Sequence, residues 1–108
     1  MSELKDLQKQ AMAIRQKYAE LNKKDGHDAW AGKDYAMGFA GDFGDLMKLV
    51  MAKENMRYID DVDAKLKHEL ADCLWSILVL AEHYQVDLDT EFQNTMKELD
   101  TRIAGAMK

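Results

Sequence analysis

The sequence predicts an all-α domain built from four helices. The 108-residue chain contains no proline, and the alternation of apolar and polar residues that is typical of strands persists nowhere for more than a few positions. Residues that favour helices dominate instead, and apolar side chains recur at helical spacing. A chain of this length accommodates one domain, so we expect residues 1–108 to form a single unit.

The first two helices are separated by a polar segment. Ser2 is a suitable N-cap for the first helix, which we expect to end near Asn22. One face of this helix carries Leu4, Leu7, Ala11, Ile14, Tyr18 and Leu21. The stretch from Asn22 to Lys33 is polar and contains two glycines, so it predicts a loop. Asp34 is the expected cap of a second helix that ends near Asn55.

The third and fourth helices follow short connections. Asp60 or Asp61 is expected to cap the third helix, which ends near Tyr84, and Asp87 to cap a fourth that runs from Leu88 to the C-terminus. The two central helices are joined by a short loop, which predicts an antiparallel hairpin, the unit of a helix bundle. Because the third helix is apolar around nearly its whole circumference, we expect oligomerisation, as a dimer or tetramer, to complete the bundle.

Composition excludes several classes of partner. The net charge is −5 with acids and bases intermixed, which argues against a nucleic acid polymer as a partner because phosphate contacts need a basic face. The single cysteine, Cys73, cannot form an internal disulfide. The first ten residues lack the apolar stretch of a signal peptide, and the longest apolar run, from Cys73 to Ala81, is too short to cross a bilayer. We therefore expect a cytoplasmic protein without a membrane partner.

Two acid pairs interrupt the apolar stripes of the central helices. Asp42 and Asp45 lie among core-type residues of the second helix, and Glu69 and Asp72 lie in the same way on the third. An antiparallel hairpin brings the pairs opposite one another, where the carboxylates repel unless a cation is present. Ligands that are all oxygen indicate Mg²⁺ or Mn²⁺ and not zinc.

Two other interpretations of these acids fit the sequence less well. A lone acid on an apolar face is commonly an edge residue or the partner of a nearby Lys or Arg, but four acids in two matched pairs fit that explanation poorly. A di-iron carboxylate bundle needs Glu-x-x-His on two helices. No glutamate of this chain has a histidine three residues later, and His27, His68 and His83 share no ligand spacing.

The acid motifs resemble those of a known family. Asp-x-x-Asp (Asp42, Asp45), followed after 23 residues by Glu-x-x-Asp (Glu69, Asp72), is similar to the signature of the MazG-like, all-α nucleoside triphosphate pyrophosphohydrolases. The stretches "YAMGFAGDFGDLMKLVM" and "KLKHELADCLWSILVLA" resemble the family's two metal-binding helices. The family has Glu-x-x-Glu in the first position, so each aspartate here is one methylene shorter, and the metal must lie nearer that helix or be reached through water.

The resemblance implies an activity and a set of site residues. It implies hydrolysis between the α- and β-phosphates of a nucleoside triphosphate, with Mg²⁺ (or Mn²⁺) held by the four acids. The expected substrate is a deoxynucleotide, and the expected role is nucleotide-pool cleaning. Lys65 corresponds to a phosphate-binding lysine of the family. The other candidate substrate contacts are Lys53, Trp30, Tyr35, Asn94 and Lys97.

An alternative from another class stays open. A catalytically inactive relative, acting as a self-association or protein-interaction module, would keep the helical bundle without its chemistry. The aspartate pair at Asp42 and Asp45 is the feature that leaves this alternative open.

Overall fold

Four helices account for most of the chain. A computed structural model describes residues 3–28 and 30–108. The helices are α1 (Glu3–Lys24), α2 (Gly32–Lys53), α3 (Val62–His83) and α4 (Leu88–Ala106), and the described ranges contain no strand. The all-α prediction and the number of helices are confirmed, whereas the predicted cap Ser2 lies outside the described residues.

Three of the helices end in the same backbone motif. Gly26, Asn55 and Gln85 have positive φ angles of 79°, 62° and 57°. The amide of the residue after each one donates to a carbonyl five positions earlier: His27 to Asn22, Met56 to Met51, and Val86 to Ala81, at 2.7, 2.9 and 2.8 Å. This is the Schellman motif, which satisfies the last carbonyls of a helix and favours glycine at the positive-φ position.

The predicted N-caps have different outcomes. Helix α2 begins two residues before the expected cap, and the Asp34 carboxylate accepts from the Ala31 amide at 2.8 Å, from within the first turn. The prediction that Asp34 is the cap was therefore wrong. Asp61 occupies the N-cap position of α3, but its side chain makes no capping hydrogen bond because its backbone is left-handed. Asp87 caps α4 as predicted, accepting from the Thr90 amide at 3.3 Å.

The helices pack in a chain of contacts. Helices α2 and α3 form the predicted antiparallel hairpin, α1 packs on α3, and α4 packs on α1. The core lies where α1 meets the hairpin and contains Ala11, Tyr35, Leu78 and Val79. Trp75 packs against this cluster and donates from Nε1 to the Ala11 carbonyl at 3.3 Å. Trp75 therefore packs against α1.

One side of the hairpin is apolar and uncovered in the single chain. Six side chains that are 39–52% exposed form what we term the apolar hairpin face: Phe43, Met47, Val50, Leu70, Leu74 and Ile77. Helix α4 likewise has no buried residue. Within the part of the chain that the structure describes, no helix combines the length and apolar character needed to cross a membrane.

Candidate metal and nucleotide site

Three of the four predicted acids converge in the hairpin. Helix α2 supplies Asp42 and Asp45 from adjacent turns of one face, and α3 supplies Glu69 from the opposite side of the seam. One carboxylate oxygen from each lies within 4.8 Å of the others. Asp42 and Glu69 are half-buried and Asp45 is exposed, so the cluster is open to solvent on the side of Asp45. We call these three residues the acid cluster.

Glu69 is the electrostatically strained member of the acid cluster. Burial raises the pKa of Glu69, and the negative charges of Asp42, Asp72 and Asp45 raise it further. Its Oε1 atom is buried and has no hydrogen-bond partner among the described residues. A buried carboxylate oxygen without a donor is costly, and a cation bound between the acids removes both the repulsion and the missing contact.

Asp72 lies outside the acid cluster and contacts a histidine. Its Oδ2 atom lies 3.1 Å from Nε2 of His68, one helical turn earlier on α3. The predicted four-acid set is thus present as three converging carboxylates and a fourth one turn further along, whose charge still acts on Glu69. Cys73 is buried beside Glu69, and burial raises the pKa of its thiol, so it belongs to the core.

A cavity that contains two lysines opens next to the acid cluster; we call it the lysine-containing cavity. It has a volume of about 440 Å³, and its lining includes Asp45, Glu69, Lys48, Lys65 and His68. The predicted phosphate ligand Lys65 therefore shares a cavity with two of the acids. Lys53 is not one of the residues that line this cavity.

Lys53 is instead engaged at the end of the hairpin. Its Nζ atom donates to Oδ1 of Asp63 at 2.6 Å, and this contact lowers the pKa of Asp63. The pair joins the last turn of α2 to the first turn of α3. The Lys53–Asp63 ion pair therefore links α2 to α3.

An aromatic pocket lies on the other side of the acid cluster. It has a volume of about 380 Å³ and is lined by Tyr18, Asn22, Trp30, Tyr35, Gly38, Asp42, Trp75 and Ser76. Trp30 and Tyr35 meet edge to face with centroids 5.4 Å apart. Trp30 is 46% exposed, whereas Tyr35 is 5% exposed and belongs to the core. Of the two predicted base contacts, Trp30 is therefore the one whose ring is exposed.

Gly38 allows the Trp30 ring to lie against α2. A Cβ atom built at Gly38 would lie 3.1 Å from Cζ3 of Trp30, which is tighter than ordinary van der Waals contact. The absence of a side chain at Gly38 thus sets the width of the aromatic pocket.

The two predicted contacts on α4 lie away from both cavities. Asn94 and Lys97 are exposed and line neither cavity beside the acid cluster. Helix α4 packs on α1, and Lys97 borders a shallow groove with Thr101 and Arg102 on the surface of α4. Within one chain the structure does not bring these side chains to the acids.

Several lining residues were not among the predicted ones. Lys48 lies three positions after Asp45 on α2, a helical spacing that could have identified it, and His68 stands in the same relation to Lys65. Asn22 and Tyr18 reach the aromatic pocket from α1. No signal in the sequence indicated them, because the packing of α1 against the hairpin is set by tertiary contacts.

The acid cluster suits a hard divalent cation. All three of its donors are carboxylates, and one oxygen is buried without a partner, a combination that matches the oxygen coordination of Mg²⁺ or Mn²⁺.

Comparison with known proteins identifies a family. A family model described as the MazG nucleotide pyrophosphohydrolase domain matches residues 43–104. The match covers more than half of the chain and includes Asp45, Glu69 and Asp72. No curated protein and no solved structure matches the chain.

Proposed function

Because the chain belongs to the MazG nucleotide pyrophosphohydrolase family, we propose that it hydrolyses nucleoside triphosphates to a monophosphate and pyrophosphate. The observation that carries this proposal is the acid cluster, with three carboxylates within 4.8 Å and a buried Glu69 oxygen that lacks a partner. Residues 1–108 act as one domain, in the cytoplasm, and clear deoxynucleoside triphosphates from the nucleotide pool.

The acid cluster would hold Mg²⁺, or Mn²⁺ in its place. Asp42, Asp45 and Glu69 supply the ligands, and Asp72 joins them if it leaves His68. Such an ion neutralises charge that develops on the phosphates and lowers the pKa of a bound water.

In this proposal, side chains of the protein accept the proton of the water and bind the phosphates. The water oxygen forms a bond to the α- or β-phosphorus, the bridging oxygen leaves with the electron pair of the broken phosphoanhydride bond, and a carboxylate takes the proton of the water. Lys48, Lys65 and His68 line the lysine-containing cavity together with Asp45 and Glu69. The positive charges of the two lysines support placing the β- and γ-phosphates there.

The aromatic pocket supports a position for the nucleoside. Asp42 belongs to both the acid cluster and this pocket, so a nucleotide whose α-phosphate lies at the cluster can extend its base toward Trp30. The exposed ring of Trp30 provides a stacking surface for the base. Tyr35 supports Trp30 from the core.

Self-association completes the proposal. The apolar hairpin face carries six exposed apolar side chains on two helices that pack together, and a group of exposed apolar side chains of this kind marks an interaction surface. A second copy presenting the same face would form a symmetric four-helix packing. We propose a dimer through this face, with a tetramer as the larger alternative.

The activity is tested by product analysis. The protein is incubated with the common ribo- and deoxynucleoside triphosphates and Mg²⁺, and pyrophosphate and orthophosphate are measured separately. We expect pyrophosphate alone, no turnover in excess EDTA, and loss of at least 100-fold in rate for Glu69→Gln, as on removing a principal charge-stabilising group. Orthophosphate release would contradict cleavage between the α- and β-phosphates. A folded wild type that is inactive on every substrate would favour the inactive-bundle alternative.

A further inference from the structure

The side chain of Asn22 is an unused polar group in the aromatic pocket. Asn22 lies in the last turn of α1, is half-buried, and lines the pocket together with Trp30 and Asp42. Its backbone carbonyl accepts from the His27 amide at 2.7 Å within the Schellman motif, which fixes the position of the residue. Its side-chain amide makes no hydrogen bond to any residue that the structure describes.

A ligand that fills this pocket must satisfy the Asn22 amide. The rings of Trp30, Tyr35 and Trp75 provide much of the pocket wall, so an occupant displaces water from an amide that has no protein partner. An amide that loses water without gaining a hydrogen bond costs about 1–3 kcal/mol. A bound group that offers a matching donor and acceptor avoids this cost, and a group that lacks them is rejected.

The edge of a nucleobase is such a group. The asparagine amide has an acceptor oxygen and a donor NH₂ side by side, and every nucleobase carries adjacent donors and acceptors on its pairing edge. On the proposed function, with the α-phosphate at the acid cluster, the base lies in the pocket that Asp42 and Asn22 share.

We propose that Asn22 reads the hydrogen-bonding edge of the base and is thereby the specificity-determining residue of the substrate site. This inference rests on the proposed function. Stacking on Trp30 accepts any base, because every base has a π-face. Selection among bases therefore comes from Asn22 on α1, outside the two helices that carry the acids.

The test compares base preferences and not absolute rates. The values of kcat/KM for dATP, dCTP, dGTP, dTTP and dUTP are measured by pyrophosphate release for wild type, Asn22→Ala and Asn22→Asp. Asn22→Ala is expected to reduce the ratio between the best and worst base by about tenfold or more, since a site built around a hydrogen bond discriminates strongly. Gln10→Ala, which removes an exposed amide from the same helix, is the control and leaves the ratio unchanged.

The Asn22→Asp variant should shift the base preference in a defined direction. A carboxylate only accepts hydrogen bonds, so the variant favours bases with an exocyclic amino group, adenine and cytosine, over those with a carbonyl at that position. We expect the amino-to-carbonyl ratio of kcat/KM to rise about tenfold or more relative to wild type. A wild type that treats all five bases alike, or an Asn22→Ala variant that loses activity equally on all of them, overturns the inference.

A binding measurement separates this inference from the activity. Both tryptophans of the chain, Trp30 and Trp75, line the pocket, so their fluorescence reports its occupancy. Titration with each deoxynucleoside 5′-monophosphate gives base preferences without hydrolysis, and these are expected to change in the same directions. If no triphosphate is hydrolysed, the proposed function fails, while the titration still shows whether Asn22 selects the base. Titration curves that Asn22→Ala and Asn22→Asp leave unaltered contradict the role of Asn22 whatever the activity.

Discussion

Among the individual side chains, Glu69 links the stability of the protein to pH. Its pKa is raised by burial and by the neighbouring carboxylates. Between the ordinary and the raised pKa the folded state binds more protons than the unfolded state, so the stability contribution of Glu69 falls as the pH rises through that interval. Metal-free protein therefore loses stability through Glu69 on going from acidic to neutral pH.

Replacing Glu69 by glutamine should relieve this penalty. Glu69→Gln is expected to raise the melting temperature of the metal-free protein at pH 7 by several degrees, and the gain should shrink as the pH is lowered and wild-type Glu69 becomes protonated. Mg²⁺ at about 100 times its Kd should stabilise wild type by about 2.7 kcal/mol and the variant by much less. Thermal melts in EDTA and in Mg²⁺ measure both effects.

The matched control for this variant is Glu98→Gln, which neutralises an exposed acid on α4. It should leave both melting temperatures almost unchanged. A Glu69→Gln variant that melts below wild type in EDTA would show that Glu69 has a stabilising partner in the metal-free protein.

Residue spacing predicted part of this site. Acids three positions apart on two facing helices had to approach one another, and the three that converge follow from that periodicity. The pairing of Asp72 with His68 depends on the side-chain conformation that each residue adopts, which spacing does not determine.

At the level of the helices, three C-terminal ends are closed by backbone hydrogen bonds, and the start of α4 is capped by a side chain. The sequence predicted the helix bounds to within about three residues, because loops and apolar periodicity mark them. It did not predict that Asn55 and Gln85 adopt positive φ angles, since glycine is the usual residue there.

Gln85 is a site for stabilising the protein. A left-handed conformation costs a residue with a Cβ about 1–2 kcal/mol, partly offset by the greater chain entropy of glycine. Gln85→Gly is therefore expected to stabilise the protein by about 0.5–1 kcal/mol, which thermal and urea unfolding can measure. Gln10→Gly, inside α1, is the control of opposite sign and should destabilise it by about 1 kcal/mol. Equal losses from the two substitutions would contradict the strain at Gln85.

Asp87 makes the start of α4 sensitive to acid. Hydrogen bonds from the Thr90 hydroxyl and amide lower the pKa of Asp87. Its stabilisation is present above the pKa of the unfolded chain and is lost as the pH falls through the lowered value. Asp87→Ala should lower the melting temperature at pH 7, and the difference from wild type should disappear at strongly acidic pH. A difference that persists there would mean that Asp87 acts other than through its charge.

For the molecule as a whole, the proposed dimer places the apolar hairpin face in its interface. A charge in a self-complementary interface meets its own symmetry mate and loses its hydration. Leu74→Asp is expected to convert a dimer into a monomer at micromolar concentration in sedimentation velocity. Met37→Asp places the same charge on an exposed residue of α2 outside that face and should leave the dimer intact. A wild type that sediments as a monomer contradicts the proposed assembly.

The sequence did not predict which part of the molecule α4 packs against. Its amphipathic pattern defines a helix, but the pattern does not say whether the apolar side covers its own chain or another. In the structure α4 packs on α1, away from the acid cluster, so Lys97 can serve a site only across an interface between two copies.

Mixing inactive variants tests this arrangement. Glu69→Gln and Lys97→Ala chains are mixed, unfolded and refolded together. If Lys97 acts on the partner's site, each mixed dimer contains one intact site, and about a quarter of the wild-type activity returns because half of the dimers are mixed. Activity that does not exceed the sum of the separate variants would show that Lys97 makes no contribution across the interface.

The division of the acid cluster between two helices has a kinetic consequence. Separating α2 from α3 relieves the repulsion among the three carboxylates when no cation is present, whereas with a cation bound it breaks coordination on both sides of the seam. Amide hydrogens along both helices should therefore exchange faster in EDTA than in Mg²⁺, and proteases that cut opened segments should follow the same order. On the proposed metal dependence, a shortage of divalent cations should therefore shorten the lifetime of the folded chain as well as stop its turnover.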